Sequence, residues 1–334
     1  MEIFINKDSN IIKAHRIFID SINQNEVLYL PLSEEIFSDI CKNSLFLSAE
    51  NNGELSGFLI ANVLDKKAFI TLIFVKKEFR NKGIGTELIV ELQRILQDKS
   101  CKELCINHLN PTELSWHIPK SPHTHNKIPG VFKESPALEF FIKNGFNITH
   151  EETAMYRDLT GFTLPEDIKN VIAALKNEGI VVGELKDFDI EFDGLCDRVQ
   201  SEYWRASIAS EIYAHKHCIG NLDSHFWADD IAPTAPRKIL AATYNKHMVG
   251  FTGPVDLQKD GRGWFTGLCV DPKFGRRRIG ETLFNLLLQA FTEEGAQFTS
   301  LFTGSTNPAK KIYLKAGLKP VAEFAALSKG INGQ

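Results

Sequence analysis

One phrase occurs twice in this chain. VKKEFRNKGIGTEL covers residues 75–88 and VDPKFGRRRIGETL covers residues 270–283. Val75 falls on Val270, Phe79 on Phe274, Ile84 on Ile279 and Gly85 on Gly280, all at an offset of 195. In each copy an apolar run ends in valine, a basic glycine-bearing turn follows, and an amphipathic helix begins. Such a turn aims backbone N–H groups and a helix N-terminus at one point, which is how a chain holds phosphate. A phrase repeated at this distance constrains the fold to two similar units.

The repeat extends on both sides. SLFLSAENNGELSGFLIANVL and KILAATYNKHMVGFTGPVDL each read as two strands, joined by tight turns at Asn52-Gly53 and Asn245-Lys246. A third strand follows, KAFITLIFV in one copy and GWFTGLCV in the other. After the turn, Leu88, Leu92 and Ile95 share one helical face, as do Leu283, Leu287 and Phe291. Each copy then predicts a short strand, a second helix closed by Gly145 or Gly317, and a final strand. In that last part the offset falls to 172, so the first copy holds 23 extra residues. They lie in a Pro- and His-rich stretch that reads as a long loop over residues 108–134. TGFTLPEDIKN, from Thr160, reads as the linker, placing the domains at 1–159 and 160–334. The 334 residues suit two domains.

The order strand–hairpin–strand, basic glycine turn, helix, strand, helix, strand resembles the GNAT acetyltransferase superfamily, once per half. Its signature, Gln/Arg-x-x-Gly-x-Gly/Ala, stands in the first copy as Arg80-Asn81-Lys82-Gly83-Ile84-Gly85. The resemblance implies a mixed α/β fold, two tandem acyl-CoA N-acyltransferase domains, and acetyl-CoA as co-substrate with no metal. It also implies that the turn takes the pyrophosphate and the end of the preceding strand pairs with the pantetheine amides. On that basis the donor-binding residues are Phe74, Val75, Arg80, Asn81, Lys82, Gly83, Ile84, Gly85 and Thr86 in the first copy. In the second they are Cys269, Val270, Arg276, Arg277, Arg278, Ile279, Gly280, Glu281 and Asn307. The bland alternative is a punctuating glycine turn and a solvated arginine run.

The copies differ in complementary ways. Gly275 stands for Arg80 and Arg278 for Gly83, so the second copy loses the first signature glycine. The long side chain either crowds the diphosphate or ion-pairs with it. The last helix shows the reverse. The family pattern of Asn, Ala and then Tyr is Asn307, Ala309 and Tyr313 in the second copy, but Ser135, Ala137 and Phe141 in the first. In the family that tyrosine protonates the departing CoA thiolate, a task that suits a phenol with a pKa near ~10. Tyr313 is thus the catalytic candidate, or else a half-buried aromatic packing its helix. The arrangement is similar to the mycothiol synthase-like group of tandem GNATs, whose C-terminal domain is taken as catalytic. The expectation is transfer in the C-terminal half and donor binding without turnover in the N-terminal half. The opposite assignment stays open because several family members work without the tyrosine.

The acceptor implied is a primary amine of a small molecule or peptide. Rival readings are a longer acyl-CoA donor, or a CoA-binding sensor or scaffold without turnover. The amine must lose a proton, yet Glu202, Glu211, His215, His217 and His225 do not single out a base. His117, His123 and His125 sit in the long loop without a completing ligand set, so a polar loop is expected rather than a metal site. Trp116 and Pro119 either line an acceptor cleft or belong to a cover over the N-terminal pocket. A net charge of −4 argues against nucleic-acid binding. Scattered cysteines, no signal pattern and no long apolar run predict a cytoplasmic protein without a membrane segment. Oligomeric state is not legible.

Overall fold

A computed structural model describes residues 1–189 and 238–331. Contacts group them into two units, residues 1–154 with 321–334, and residues 155–320. The fold is mixed α/β.

Unit 1 begins with β1 (Glu2–Ile5), α1 (Ile11–Asn23) and α2 (Glu34–Lys42). The strands β2 (Leu45–Asn51), β3 (Glu54–Leu64) and β4 (Lys67–Val75) follow, then α3 (Ile84–Asp98) and β5 (Glu103–Ile106). The long loop carries only three two-residue strands, β6 (Trp116–His117), β7 (Thr124–His125) and β8 (Val131–Phe132). After it come α4 (Pro136–Lys143) and β9 (Asn147–Asp158), which leads out of the unit. β3 is a nearly continuous buried run. Alternation sends Leu59 and Ala61 to the face under α3, and Phe58 and Ile60 to the face under α1 and α2. The expected turn is present between β2 and β3, with Asn52 at φ 52° and Gly53 at φ 78°.

Unit 2 contains α5 (Glu166–Asn177), β10 (Ile180–Glu184), β11 (Leu240–Tyr244) and β12 (His247–Thr252). It continues with β13 (Asp256–Leu257), β14 (Arg262–Trp264), β15 (Leu268–Val270) and α6 (Ile279–Glu293). β16 (Phe298–Gly304) and α7 (Lys310–Lys315) complete it. The β11–β12 turn matches its counterpart, with Asn245 at φ 50° and Lys246 at φ 64°. GWFTGLCV is not one strand. β14 runs parallel to β16, whereas β15 pairs with β12. At the end of the β12–β15 ladder the Thr252 hydroxyl donates to the Gly267 carbonyl at 2.7 Å.

The last strand, β17 (Lys319–Gly330), comes from the second half of the sequence but pairs antiparallel with β5, from Leu327↔Ile106 to Gly330↔Glu103. The sheet of unit 1 therefore reads β1-β2-β3-β4-β5-β17-β9. Ala325 and Leu327 are fully buried in its core. Among the described residues no helix is long and apolar enough to cross a membrane.

Candidate active site

The two glycine turns have the same backbone. Each starts with a short 3-10 turn, Lys77–Phe79 or Pro272–Phe274. Arg80 (φ −66°, ψ 157°) and Gly275 (φ −59°, ψ 158°) are extended. Asn81 and Arg276 are left-handed at φ 60° and 64°. Gly83 and Arg278, just before α3 and α6, are left-handed at φ 82° and 62°. Such a backbone bends successive N–H groups into a concavity at a helix N-terminus.

The side chains divide the copies. A Cβ built on Gly83 meets nothing within 4 Å, so this turn is open for a ligand to approach its backbone. Arg278 occupies the same left-handed position, at a cost of about 1–2 kcal/mol for a residue with a Cβ. Its guanidinium donates to Glu281 in the first turn of α6 and to Asp167, each at 2.7 Å. Lys315 reaches Glu281 as well, at 3.4 Å. The Arg278 bond comes first among the causes that hold the Glu281 carboxyl below the usual carboxylate range. Arg277 pairs with Glu178. The second turn thus carries its own carboxylate where the first is open.

The other signature glycine has a different task. A Cβ on Gly85 would lie 2.9 Å from the Phe140 ring of α4. In the second copy, a Cβ on Gly280 would lie 3.2 Å from Ile312 Cδ1 of α7. Phe140 and Ile312 correspond at the later offset of 172. The glycine kept in both copies lets two helices approach each other, while the one lost from the second faces outward.

Phe74 and Val75 end β4, and the Arg80 guanidinium folds back on them, its Nε donating to the Val75 carbonyl at 3.0 Å. Its other nitrogens grip both oxygens of Glu26. Lys82 extends over the Phe79 ring, while Ile84 is buried under the turn. Thr86 lies in the first turn of α3. Cys269 and Val270 end β15 and are half-buried. Asn307 Oδ1 accepts from the Ala309 amide at 3.0 Å, the same capping bond that Ser135 makes to Ala137. Tyr313 is only 5 % exposed, packed between Phe284 and Phe265 with ring centroids at 4.9 and 5.6 Å. Burial pushes its phenol up to about 12.

A cleft opens where two neighbouring strands part. β4 pairs with β5 only at Lys67, Ala68 and Phe69, and then runs on to Val75 with its other edge held by β3. The lobe nearer the turn, about 690 Å³, is lined by Leu72, Phe74, Phe132 and Phe141 among others. A lobe of about 390 Å³ is lined by His108, Asn110, Thr112, Glu113 and Lys127. Tyr29, Ile70, Thr71 and Ile106 line both. Parted β4 leaves backbone amide and carbonyl groups facing the cleft, which fits an extended amide-bearing arm beside an open anion turn.

The long loop supplies most of the polar wall, including His108, a role that His117, His123 and His125 do not share. Trp116 is buried against Phe324, and its indole N–H donates to the Lys127 carbonyl at 2.8 Å. His125 is buried on Trp116 and takes the Lys127 amide on Nδ1, whereas His117 is exposed on β6. No group of three or more His, Cys, Asp or Glu residues could hold a metal among the described residues. Glu202, Glu211, His215, His217 and His225 lie outside the described residues. Sequence reasoning missed Tyr29, His108 and Asn110. A usable signal was the INHLN run directly after β5, polar residues where a strand leaves its neighbour.

The model of the Acetyltransferase (GNAT) family matches residues 15–115 and again residues 198–318. The chain is a tandem member of the GNAT acetyltransferase family. Membership makes it an acyl-transfer enzyme. Among solved structures it is similar to a GCN5-related glucosamine N-acetyltransferase region of a fungal multi-domain GH3 beta-N-acetylglucosaminidase, with TM-score 0.60 and 15% identity. That match covers 98% of this chain and 38% of the longer one. It is similar over 99% of its length to 96% of a GCN5-related N-acetyltransferase from Sphaerobacter thermophilus, with TM-score 0.55 and 15% identity. A tandem GNAT protein from the clavulanic acid biosynthesis pathway matches over 100% of both chains, with TM-score 0.51 and 12% identity. Likenesses at such identities are likenesses of fold. No curated protein matches the sequence.

Proposed function

We propose that this protein is an acetyl-CoA-dependent N-acetyltransferase that binds its donor at the N-terminal turn and transfers the acetyl group in the cleft of unit 1. The acceptor is a primary amine of a small molecule or peptide. The open Gly83 turn beside the parted β4 carries this reading, because the equivalent turn of unit 2 is filled by Arg278 and its carboxylates. The pyrophosphate would lie over residues 81–85, with Lys82 adding charge and the N-terminus of α3 adding its dipole. The pantetheine arm would pair with β4 as far as its unpaired edge extends, bringing the thioester into the cleft.

A second reading rests on Tyr313, the one phenol at the family's position. It assigns transfer to the C-terminal half. Its burial among Phe265 and Phe284 accounts for the residue as packing, so we assign it no step.

Calorimetric titration with acetyl-CoA, followed by a free-thiol assay with amine acceptors, tests both. Our reading expects Gly83→Arg to weaken donor binding by at least ~30-fold and Tyr313→Phe to leave kcat unchanged. A large fall in kcat for Tyr313→Phe moves the chemistry to unit 2. Donor binding without thiol release would favour the sensor alternative. A preference for hexanoyl-CoA over acetyl-CoA would identify a longer-chain acyltransferase.

A further inference from the structure

The family's proton donor is missing from unit 1, since Phe141 lines the cleft at the tyrosine's place. Another phenol lines it instead. Tyr29 belongs to the walls of both lobes, whereas His108 belongs only to the polar one. The zone common to both lobes is where a donor entering from the turn meets an acceptor entering from the polar end. A group on that zone is placed to serve the sulfur, and one on the polar wall is placed to serve the nitrogen.

We propose that Tyr29 and His108 are the acid and base of acetyl transfer in unit 1, an inference that rests on the donor binding at the Gly83 turn. His108 takes a proton from the acceptor's ammonium group. The freed amine attacks the thioester carbonyl, a C–N bond forms, and the C–S bond breaks as the tetrahedral adduct collapses. The nitrogen gives up two protons in all. One passes through His108 to water and the other balances the proton that Tyr29 gives to the thiolate.

The surroundings fit these tasks. Tyr29 is held by a backbone bridge to Trp116 and by its ring against Phe18, at 6.2 Å. Burial pushes its phenol up to about 12, so it carries its proton at neutral pH. Its hydroxyl has no hydrogen-bond partner among the described residues. The His108 imidazole packs edge-on to His150, with centroids 6.2 Å apart, and keeps an edge exposed to water. Packing, then Lys127, then His150 lower its pKa, which keeps it neutral and able to accept a proton. His150 Nε2 lies 3.5 Å from Glu152, whose carboxyl is itself raised by burial. His150 and Glu152 are positioning residues on β9. Across the lobe Glu113 pairs with Lys127, which removes much of the positive charge that would repel an incoming ammonium.

The test uses the full chain with Tyr29→Phe, His108→Gln and Gly83→Arg variants. Donor affinity is measured by calorimetry, and thiol release from acetyl-CoA is followed with glucosamine, spermidine and hydroxylamine as probes. Both Tyr29→Phe and His108→Gln are expected to bind acetyl-CoA and melt like the wild type. Each is expected to lose about 100-fold or more in kcat, the low end for general acid–base catalysis. For His108→Gln the loss should be confined to glucosamine and spermidine, because hydroxylamine is already neutral at neutral pH. That rescue is a readout a structural role does not produce. Unchanged kcat in either variant overturns the assignment, as does a His108→Gln loss equal for all three probes. Wild-type protein that binds acetyl-CoA but releases no thiol with any probe overturns it too. Failure of the underlying reading shows separately, as donor affinity that Gly83→Arg leaves unchanged.

Discussion

The two copies of the glycine turn share a backbone and differ in what they leave exposed. Left-handed residues recur at 81 and 276, and at 83 and 278, so the path of the chain does not depend on which side chain occupies the fourth position. Openness does. Gly83 leaves the concavity accessible, whereas Arg278 puts a long side chain at that position, ion-paired to Glu281 and Asp167. A duplicated fold thus keeps its scaffold through the glycine that packs helices and varies the openness of the turn through the glycine that faces solvent.

The largest effect should come from asking whether each copy is complete in its own half. Deleting residues 321–334 removes buried Phe324, Ala325, Ala326 and Leu327 from the core of unit 1. The loss should exceed ~5 kcal/mol, comparable to a whole domain's stability. Cooperative melting of the truncated protein, read by near-UV circular dichroism, would break this view.

Exchanging the outward residue is the next test. Gly83→Arg should weaken acetyl-CoA by at least ~30-fold, about 2 kcal/mol, from strain and blocked access together. Arg278→Gly should relieve strain and free Glu281, and calorimetric stoichiometry shows whether a second donor then binds. A wild-type stoichiometry of two would end the asymmetry.

The inward glycines should behave alike but not equally. Gly85→Ala drives a methyl against the Phe140 ring and should cost ~1–3 kcal/mol. Gly280→Ala presses on the flexible end of Ile312, with Leu268 and Val270 at ordinary contact, and should cost less, about 1 kcal/mol by the same principle. Differential scanning calorimetry of the pair measures the difference.

The smallest effect concerns pH. Glu281 has a depressed folded pKa, so its contribution is present above its unfolded value and fades as pH falls through the folded one. Arg278 is partly exposed, so screening limits the contribution to about 0.5 kcal/mol. Glu281→Gln should flatten stability against pH below the ordinary carboxylate value, as urea titrations at a series of acid pH values would show.

Much of the fold was legible because the repeat supplied two readings of each element. Asn52-Gly53 and Asn245-Lys246 announced their turns, and Gly145 and Gly317 closed their helices as left-handed residues. The break in GWFTGLCV was not legible, since local propensity favours one strand and the partner that draws its first part away, β16, lies beyond the whole of α6. The pairing of β17 with β5 was hidden for the same reason, because apolar alternation shows that a strand has a buried face but not which sheet buries it. At the site, the spacing of Arg80 to Gly85 marked the turn but could not distinguish the glycine that faces outward from the one that packs on Phe140. Tyr29 was invisible because it lies far in sequence from every motif and reaches the cleft only through its bridge to Trp116.

The placement of β17 also has a meaning in time. β5 waits for a neighbour that is synthesised more than two hundred residues later. At ~5–20 residues per second on the ribosome, the sheet beside the N-terminal cleft stays unfinished for ten seconds or more after β5 emerges. Chains that stop short of β17 never close that edge, so in this topology the completed sheet of unit 1 certifies that the second half was made.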